Sequence, residues 1–337
     1  MMTDTESQPD DKIKAYAIFP NQRRMSWLNG SRCYWNGHYY ETPVPRMELA
    51  RSLDVMPHHD SAMEAKINVL MSTVEPTNEK KLSAEAIERM AWDYLIYGDY
   101  FTVAHRNKLG GLSHYEHLPS LHTRRAKRNF VLLDNGLVDS KYKIEDVLHS
   151  IRYDGRQDMY GRPGYMAALL SIFLGQASTK FRYHYVKNRS NTGFLMYLAG
   201  AIDNEVIEEI EDALAGGEDE QFGNVVIHDP GANSGANTGE KIKLIPISDS
   251  KNKDDFEQVQ QVTLETVLAA HRWPPQLMGI VPKNASGFGS VTDAAQVAFV
   301  NEILPLHRKL AGINRHAGQK LIRFKGYDLG VGGKAEG

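Results

Sequence analysis

The chain has 337 residues, 42% hydrophobic and 24% charged, with a net charge of −3 at pH 7. That is ample for two or three folding units, and the mild negative charge argues against a protein that grips nucleic acid by neutralising phosphates. Cys33 is the only cysteine, which excludes an intrachain disulfide or a cysteine-based zinc cluster and fits a reducing compartment.

The first residues, MMTDTESQPDDK, are polar and acidic, unlike a secretory leader, and residues 1–25 are expected to form a disordered arm that docks around Ile18, Phe19 and Pro20. Trp27, Tyr34, Trp35, Tyr39 and Tyr40 then cluster around Asn36-Gly37, a turn signal that predicts a short hairpin. Helical patterns occupy 46–56 and 59–71. A third starts after Ser83, a good N-cap, and runs to Ile96 until Gly98 stops it. The segments YFTVAHR (100–106), SHYEHL (113–118) and RNFVLLD (128–134) read as strands, so the first half, 26–162, is α+β.

Pro163 sits where a helix tolerates it best, just inside a start, and predicts a helix over 163–186 about 36 Å long at about 1.5 Å per residue. Within it the ALLSIFL run (168–174) is closed by Gly175 and Gln176 and followed by Lys180 and Arg182. That is far short of the roughly 18 apolar residues of a membrane span. A compact unit over 187–252 follows: strand FLMYL (194–198), an acidic helix over 203–215 ended by Gly216-Gly217, and strands VVIHD (225–229) and IKLIPIS (242–248). The loop 230–240, rich in Gly and Asn, should be mobile. A second long helix is expected over 253–273, stopped by Pro274-Pro275. A loop over 274–289 contains Gly287-Phe288-Gly289. Ser290, three residues before Asp293, then caps a helix that Pro305 should kink or restart within 290–325, and the tail 326–337 has no reason to fold.

No catalytic group is aligned anywhere. There is no phosphate-binding loop, no nucleophile elbow and no HExxH, and no cofactor is implied. His58-His59-Asp60, and His114, Glu116 and His117 with His122, suggest metal sites at first sight. On a strand, however, His114 and His117 point to opposite faces and cannot chelate one ion, so structural or surface roles are favoured. Between Asp203 and Glu220 lie nine acidic residues and no basic one; a solvated helix face and a docking surface both fit. Thr123–Arg128 is the densest basic run, read as a solvated turn or inter-subunit salt bridge, or else as a contact for DNA or scaffold.

Ala270-His271-Arg272, Pro274-Pro275-Gln276, Met278-Gly279-Ile280, Gly287-Phe288-Gly289 and Asn301-Glu302 with Leu304-Pro305-Leu306 form an ordered series. Upstream stand Tyr34-Trp35-Asn36-Gly37, Asp93-Tyr94-Leu95, Tyr97-Gly98-Asp99 and Tyr160-Gly161-Arg162-Pro163-Gly164-Tyr165. In this order and spacing, over roughly residues 26–312, the chain resembles the portal proteins of tailed bacteriophages, notably the compact portals of P2-like and PBSX-like phages. The resemblance implies a non-enzymatic subunit of a ring, typically a dodecamer, with double-stranded DNA passing along its axis. It implies a wing (26–162), two stem helices (163–186 and 253–273), a clip inserted between them (187–252), a tunnel loop (274–289) and helices returning to the wing. Lys283, Asn284, Phe288 and Ser290 are the candidates for DNA contact. Phe194, Met196, Tyr197, Glu208, Glu211 and His228 are those for clip assembly and motor docking. Implied partners are the terminase large subunit, scaffold and major capsid protein, and head-completion and tail proteins, with no membrane; the chain would work in the virion after assembly in the bacterial cytoplasm. The competing readings are a metal-dependent nuclease or hydrolase and a cytosolic oligomeric adaptor without a DNA role.

Overall fold

A computed structural model describes residues 14–17, 33–187, 194–199, 225–229, 242–246, 252–279 and 290–328. The chain divides into two units: Met1–Arg24 with Ala177–Val259, and Met25–Gln176 with Gln260–Gly337. In chain order the elements are β1 (Lys14–Ala17), α1 (Arg46–Val55), α2 (Pro57–Thr73), β2 (Val74–Pro76), α3 (Ala84–Tyr97), β3 (Asp99–Arg106), β4 (Leu112–Leu118), β5 (Thr123–Arg125), β6 (Asn129–Asp134), β7 (Leu137–Lys143) and β8 (Val147–Ile151). Then come α4 (Leu169–Lys187), β9 (Phe194–Ala199), β10 (Val225–Asp229), β11 (Ile242–Pro246), α5 (Asn252–His271), α6 (Val291–Ala298), a π-helical segment (Phe299–Ile303), α7 (Leu304–Leu310), α8 (Gly312–Ala317) and β12 (Ile322–Phe324).

The larger unit is built on α3. Ser83 caps its start, the hydroxyl accepting from the Ala86 N–H at 3.1 Å, and Gly98 ends it at φ 82°. Ile87, Met90 and Ala91 bury one face. The chain reverses straight into β3, the central strand of the sheet β4-β3-β8. β3 is buried along six consecutive residues because it is flanked on both edges and covered on both faces. A second sheet, β5-β6-β7, turns at Asn135-Gly136, both with positive φ. The principal core joins α2 (Ile67, Leu70), α3, Tyr100 of β3, Trp273, and Phe299, Ile303, Leu306 and Leu310 of the last helices. The Asn36-Gly37 turn is closed by one bridge, Trp35 to Tyr40, whose rings meet edge-on at 5.1 Å.

Several boundaries differ from expectation. The helix expected from Pro163 is preceded by a 3-10 turn at Met166–Ala168, and regular α geometry starts only at Leu169. The reason is that 160–165 cross the end of α3, where the Tyr165 hydroxyl donates to the Ile96 carbonyl at 2.8 Å. α5 stops at His271 rather than Trp273, because Arg272 turns left-handed at φ 52°. Pro305 does restart the helix, in the first turn of α7, but the disturbance lies upstream in the π segment. Proline's ring and missing N–H act on the carbonyl four residues back, here Asn301. In the basic run, Arg124 is no solvated residue: its guanidinium donates to the Leu121 carbonyl at 2.9 Å, and Lys127 lies 4.6 Å from the centre of the Trp35 ring. Tyr327, in the tail expected to be unstructured, stacks on Phe299 at 5.2 Å.

Among the described residues, the smaller unit contains one sheet, in the order β1-β10-β9-β11. β9 and β10 are parallel, as the expected crossover between them requires, and β11 runs antiparallel to β9. β1 forms the other edge, antiparallel to β10. Lys14–Ala17 is thus a strand inside the arm expected to be disordered, since an unpaired edge supplies its backbone partners.

Candidate functional site

Two polar knots in the larger unit collect the motif residues. The first lies under the C-terminal end of α3. Asp99 accepts from Arg46 Nη1 at 2.7 Å, from Arg46 Nη2 at 2.8 Å, and from the Gly161 N–H at 2.9 Å. Both side chains are buried, and the Arg46 cation holds the Asp99 carboxyl well below the usual carboxylate range despite burial, which alone would raise it. The Arg46 guanidinium also lies 5.2 Å from the Tyr97 ring centre and 5.1 Å from that of Tyr160. Tyr160 donates its hydroxyl to the Tyr40 carbonyl at 2.5 Å and accepts from the Arg125 N–H at 2.9 Å. Two glycines make the crossing possible: a Cβ on Gly161 would stand 1.8 Å from the Gly98 oxygen, and one on Gly98 would stand 2.4 Å from the Arg162 backbone. The tripeptide 97–99 and the hexapeptide 160–165 are therefore two halves of one joint.

The second knot sits where α5 ends. Lys66 of α2 donates to Glu302 at 2.7 Å and to the His271 carbonyl at 2.6 Å, with both charged side chains buried. Arg272 clasps the same carboxylate, Nη2 to Oε2 at 3.2 Å and Nε to Oε1. Burial pushes the Lys66 ammonium down, and Glu302 opposes this. Beneath them runs a chain of neutral rings. The Ser52 hydroxyl gives its proton to the Leu49 carbonyl at 2.6 Å, so it accepts from His59 Nε2 at 3.1 Å. His59 Nδ1 then accepts from His271 Nε2 at 2.7 Å. Burial brings His59 down to about 4 and His271 well below its ordinary value. These groups are fully engaged with one another, so they lock geometry rather than carry out acid–base chemistry.

From this knot the chain descends through buried Trp273 into a 3-10 turn at Pro275–Met278 closed by Gly279 at φ 70°. It re-emerges at Ser290, whose hydroxyl accepts from the Asp293 N–H at 3.1 Å to start α6. The turn and α6 touch each other, so the two ends of the intervening stretch are mounted side by side. Ser290 is exposed and serves as an N-cap. Lys283, Asn284 and Phe288 lie outside the described residues, as do Glu208 and Glu211. Phe194, Met196 and Tyr197 occupy β9, paired on both edges, opposite Pro246, Leu244 and Lys243 of β11. His228 of β10 pairs with Leu198 and Lys14. The loop candidates and the strand candidates thus belong to different units.

The expected histidine groups separate. His117 bonds to Asp93 at 2.8 Å, whereas His114 stacks on His105 at 4.6 Å. Among the described residues, no group of three or more His, Cys, Asp or Glu is placed to hold a metal ion. Nor is any helix among them long and apolar enough to cross a membrane. Burial raises the Cys33 thiol to about 11, assisted by Asp154.

Residues 49–329 match the phage portal protein family. The chain belongs to that family. It is 32% identical over 334 residues to the "Probable portal protein" of Escherichia phage P2, covering 97% of this chain and 94% of the relative. Its fold is that of solved portal structures. An HK97-family phage portal protein from Corynebacterium diphtheriae is similar with a TM-score of 0.53 at 11% identity, over 82% of this chain and 94% of that one. A chain in the neck of a native gene transfer agent particle, computed with C12 symmetry, gives 0.59 at 14% identity, over 88% and 87%. The protein is thus a portal subunit with an α+β portal fold, a structural component of a bacteriophage capsid and not an enzyme. The nuclease or hydrolase reading and the adaptor reading are not favoured. Arg46, Asp99, Lys66 and Glu302 were not singled out as site residues in the sequence. Lys66 does leave a trace there: it interrupts the apolar stripe Ala62-Met63-Ile67-Leu70 of α2, the signature of a buried, paired charge.

Proposed function

We propose that twelve copies of this portal subunit close into a ring, following the C12 symmetry applied to the gene transfer agent neck, and that double-stranded DNA slides along its axis. In this reading the α+β part over 26–162 is the wing, α4 and α5 are the stem, and the unit inserted between them is the clip. Residues 274–289 form the tunnel loop, and 290–325 return to the wing. The observation that carries the reading is the insertion itself. The roots of α4 and α5 pack together in the larger unit, with Ile172 and Val267 in one core and a Gly175 Cβ position 3.2 Å from Thr263, and β9, β10 and β11 of the smaller unit lie between them in the chain.

A channel must let a duplex pass without holding it, because binding strengthens steeply with each phosphate contact. A chain of net charge −3 with one lysine, Lys283, in the loop suits a sparse positive ring. Lys283, Asn284, Phe288 and Ser290 meet DNA in this reading. Phe194, Met196, Tyr197, Glu208, Glu211 and His228 serve clip assembly and docking of the terminase large subunit, and acidic residues there orient the encounter by charge. Scaffold and major capsid protein surround the ring during assembly in the bacterial cytoplasm. Head-completion and tail proteins join it at the portal vertex of the virion. Lys283→Glu is expected to reduce packaged or retained DNA while ring assembly stays intact. Normal packaging by that variant would remove the loop from the DNA path.

A further inference from the structure

Where α1 begins, the larger unit holds a small cavity that neither polar knot fills. Val44 leads into it from one side, and Arg46, Asp154, Arg156 and Arg162 line it. Its enclosed volume is about 20 Å³, and it is half-open to solvent. That is room for about one or two water-sized groups. Two of the three arginines are matched in charge. Arg46 pairs with Asp99 behind the cavity, and Arg156 grips Asp154, Nε to Oδ1 at 3.0 Å and Nη2 to Oδ2 at 3.3 Å. Arg162 is left over. Among the described residues it makes no ion pair, and its buried Nε has no hydrogen-bond partner. Arg46, only 4% exposed, also has an Nε without a partner. The start of α1 adds to this excess. Pro45 stands at its N-cap and no side chain caps the helix, so its first N–H groups keep their partial positive charge. Glu48 in the first turn does not compensate, since it does not line the cavity and bonds to Arg51 at 3.1 Å. The cavity thus combines one unmatched cation, two orphaned donors and a bare helix N-terminus, a combination suited to an anion.

We propose that this cavity binds a carboxylate, seated between Arg162 and the start of α1 and accepting from the Arg46 Nε as well. A carboxylate carries the single charge that Arg162 leaves unmatched, and its two oxygens can accept from several donors at once. A water molecule would satisfy a donor but not the charge, and a phosphate exceeds both the volume and the charge. The carboxylate belongs either to a small free acid or to an Asp or Glu side chain of another chain entering through the open side. Bound there, it ties α1 to the 160–165 crossing. This site is independent of the ring reading.

The test titrates the full chain with three probes: acetate, the α-amide of N-acetylglutamate, whose only charge is its side-chain carboxylate, and inorganic phosphate. Carbon-13 line broadening reports binding of the first two, and displacement of acetate reports phosphate. The wild-type chain is expected to bind acetate more tightly than phosphate. Arg162→Gln, shown by circular dichroism to fold, should weaken acetate at least about tenfold, the loss of one charge-assisted hydrogen bond. Arg162→Lys should retain part of the binding, and Arg315→Gln, at an exposed position elsewhere, should change nothing. An amide that binds at least as tightly as acetate assigns the site to a protein side chain; acetate bound with the amide excluded assigns it to a free acid. Absence of acetate binding, a preference for phosphate, or binding that survives Arg162→Gln overturns the proposal. Should Arg162→Gln fail to fold, the comparison of acetate with phosphate on the wild-type chain still decides.

Discussion

Removal of the Asp99 carboxylate should be among the most damaging single changes in the larger unit. Asp99→Leu leaves the Arg46 guanidinium buried without its counter-ion, which costs about 3–5 kcal/mol. The Gly161 N–H, which also donates to Asp99, loses its acceptor for about 1–3 kcal/mol more. At about 2–4 °C per kcal/mol for a unit of this size, the melting midpoint should fall by more than about 10 °C. The companion change Arg46→Met/Asp99→Leu removes both of these charges but leaves the Gly161 N–H and the buried His149 ring, 3.5 Å from Asp99, without their acceptor, so it should cost about 1–3 kcal/mol for each stranded group. Scanning calorimetry or denaturant titration of the singles and the double measures this directly. The pH dependence has a definite sign. The folded carboxyl titrates below its unfolded range, so its stabilisation is present above about pH 4 and disappears as pH falls toward the folded value. A double variant as unstable as the two singles added together would refute the reasoning.

Lys66→Met strands Glu302 with only the half-exposed Arg272, and should destabilise the unit by about 3 kcal/mol, whereas Lys66→Met/Glu302→Leu should recover much of that loss; urea midpoints distinguish the two. His59 is neutral at pH 7 and titrates at about 4 when folded. Its unfolded value near 6.5 is higher, so stability should decline as pH drops from about 6.5 to 4, by about 3 kcal/mol at most from this ring. Thermal melts across that window, compared with His59→Phe, measure the contribution; equal slopes in both proteins would contradict it.

The sequence disclosed elements where one local signal dominates. Ser83 and Gly98 bracket α3 because a cap and a left-handed stop act within a turn of each other, and the Asn36-Gly37 turn closes as expected. β9, β10 and β11 were legible as short apolar runs between turn residues. β7 was not, since LVDSKYK alternates with little apolar content and is defined by its pairing with β6. The strand at Lys14–Ala17 was invisible for the same reason: its partner is more than two hundred residues away. At the joint, the glycines were noticed as a motif, yet their purpose required the crossing of 97–99 by 160–165. Lys66 and Glu302 come from distant segments, and only packing brings them to His271. Pro305 was legible as a restart, but its effect falls four residues upstream, on the Asn301 carbonyl within the π segment.

Electron microscopy of the purified full-length chain tests the central claim most directly. The account predicts annular particles with an axial hole wide enough for a duplex and cyclic symmetry in class averages. Compact single subunits, or closed assemblies without a central opening, would contradict it.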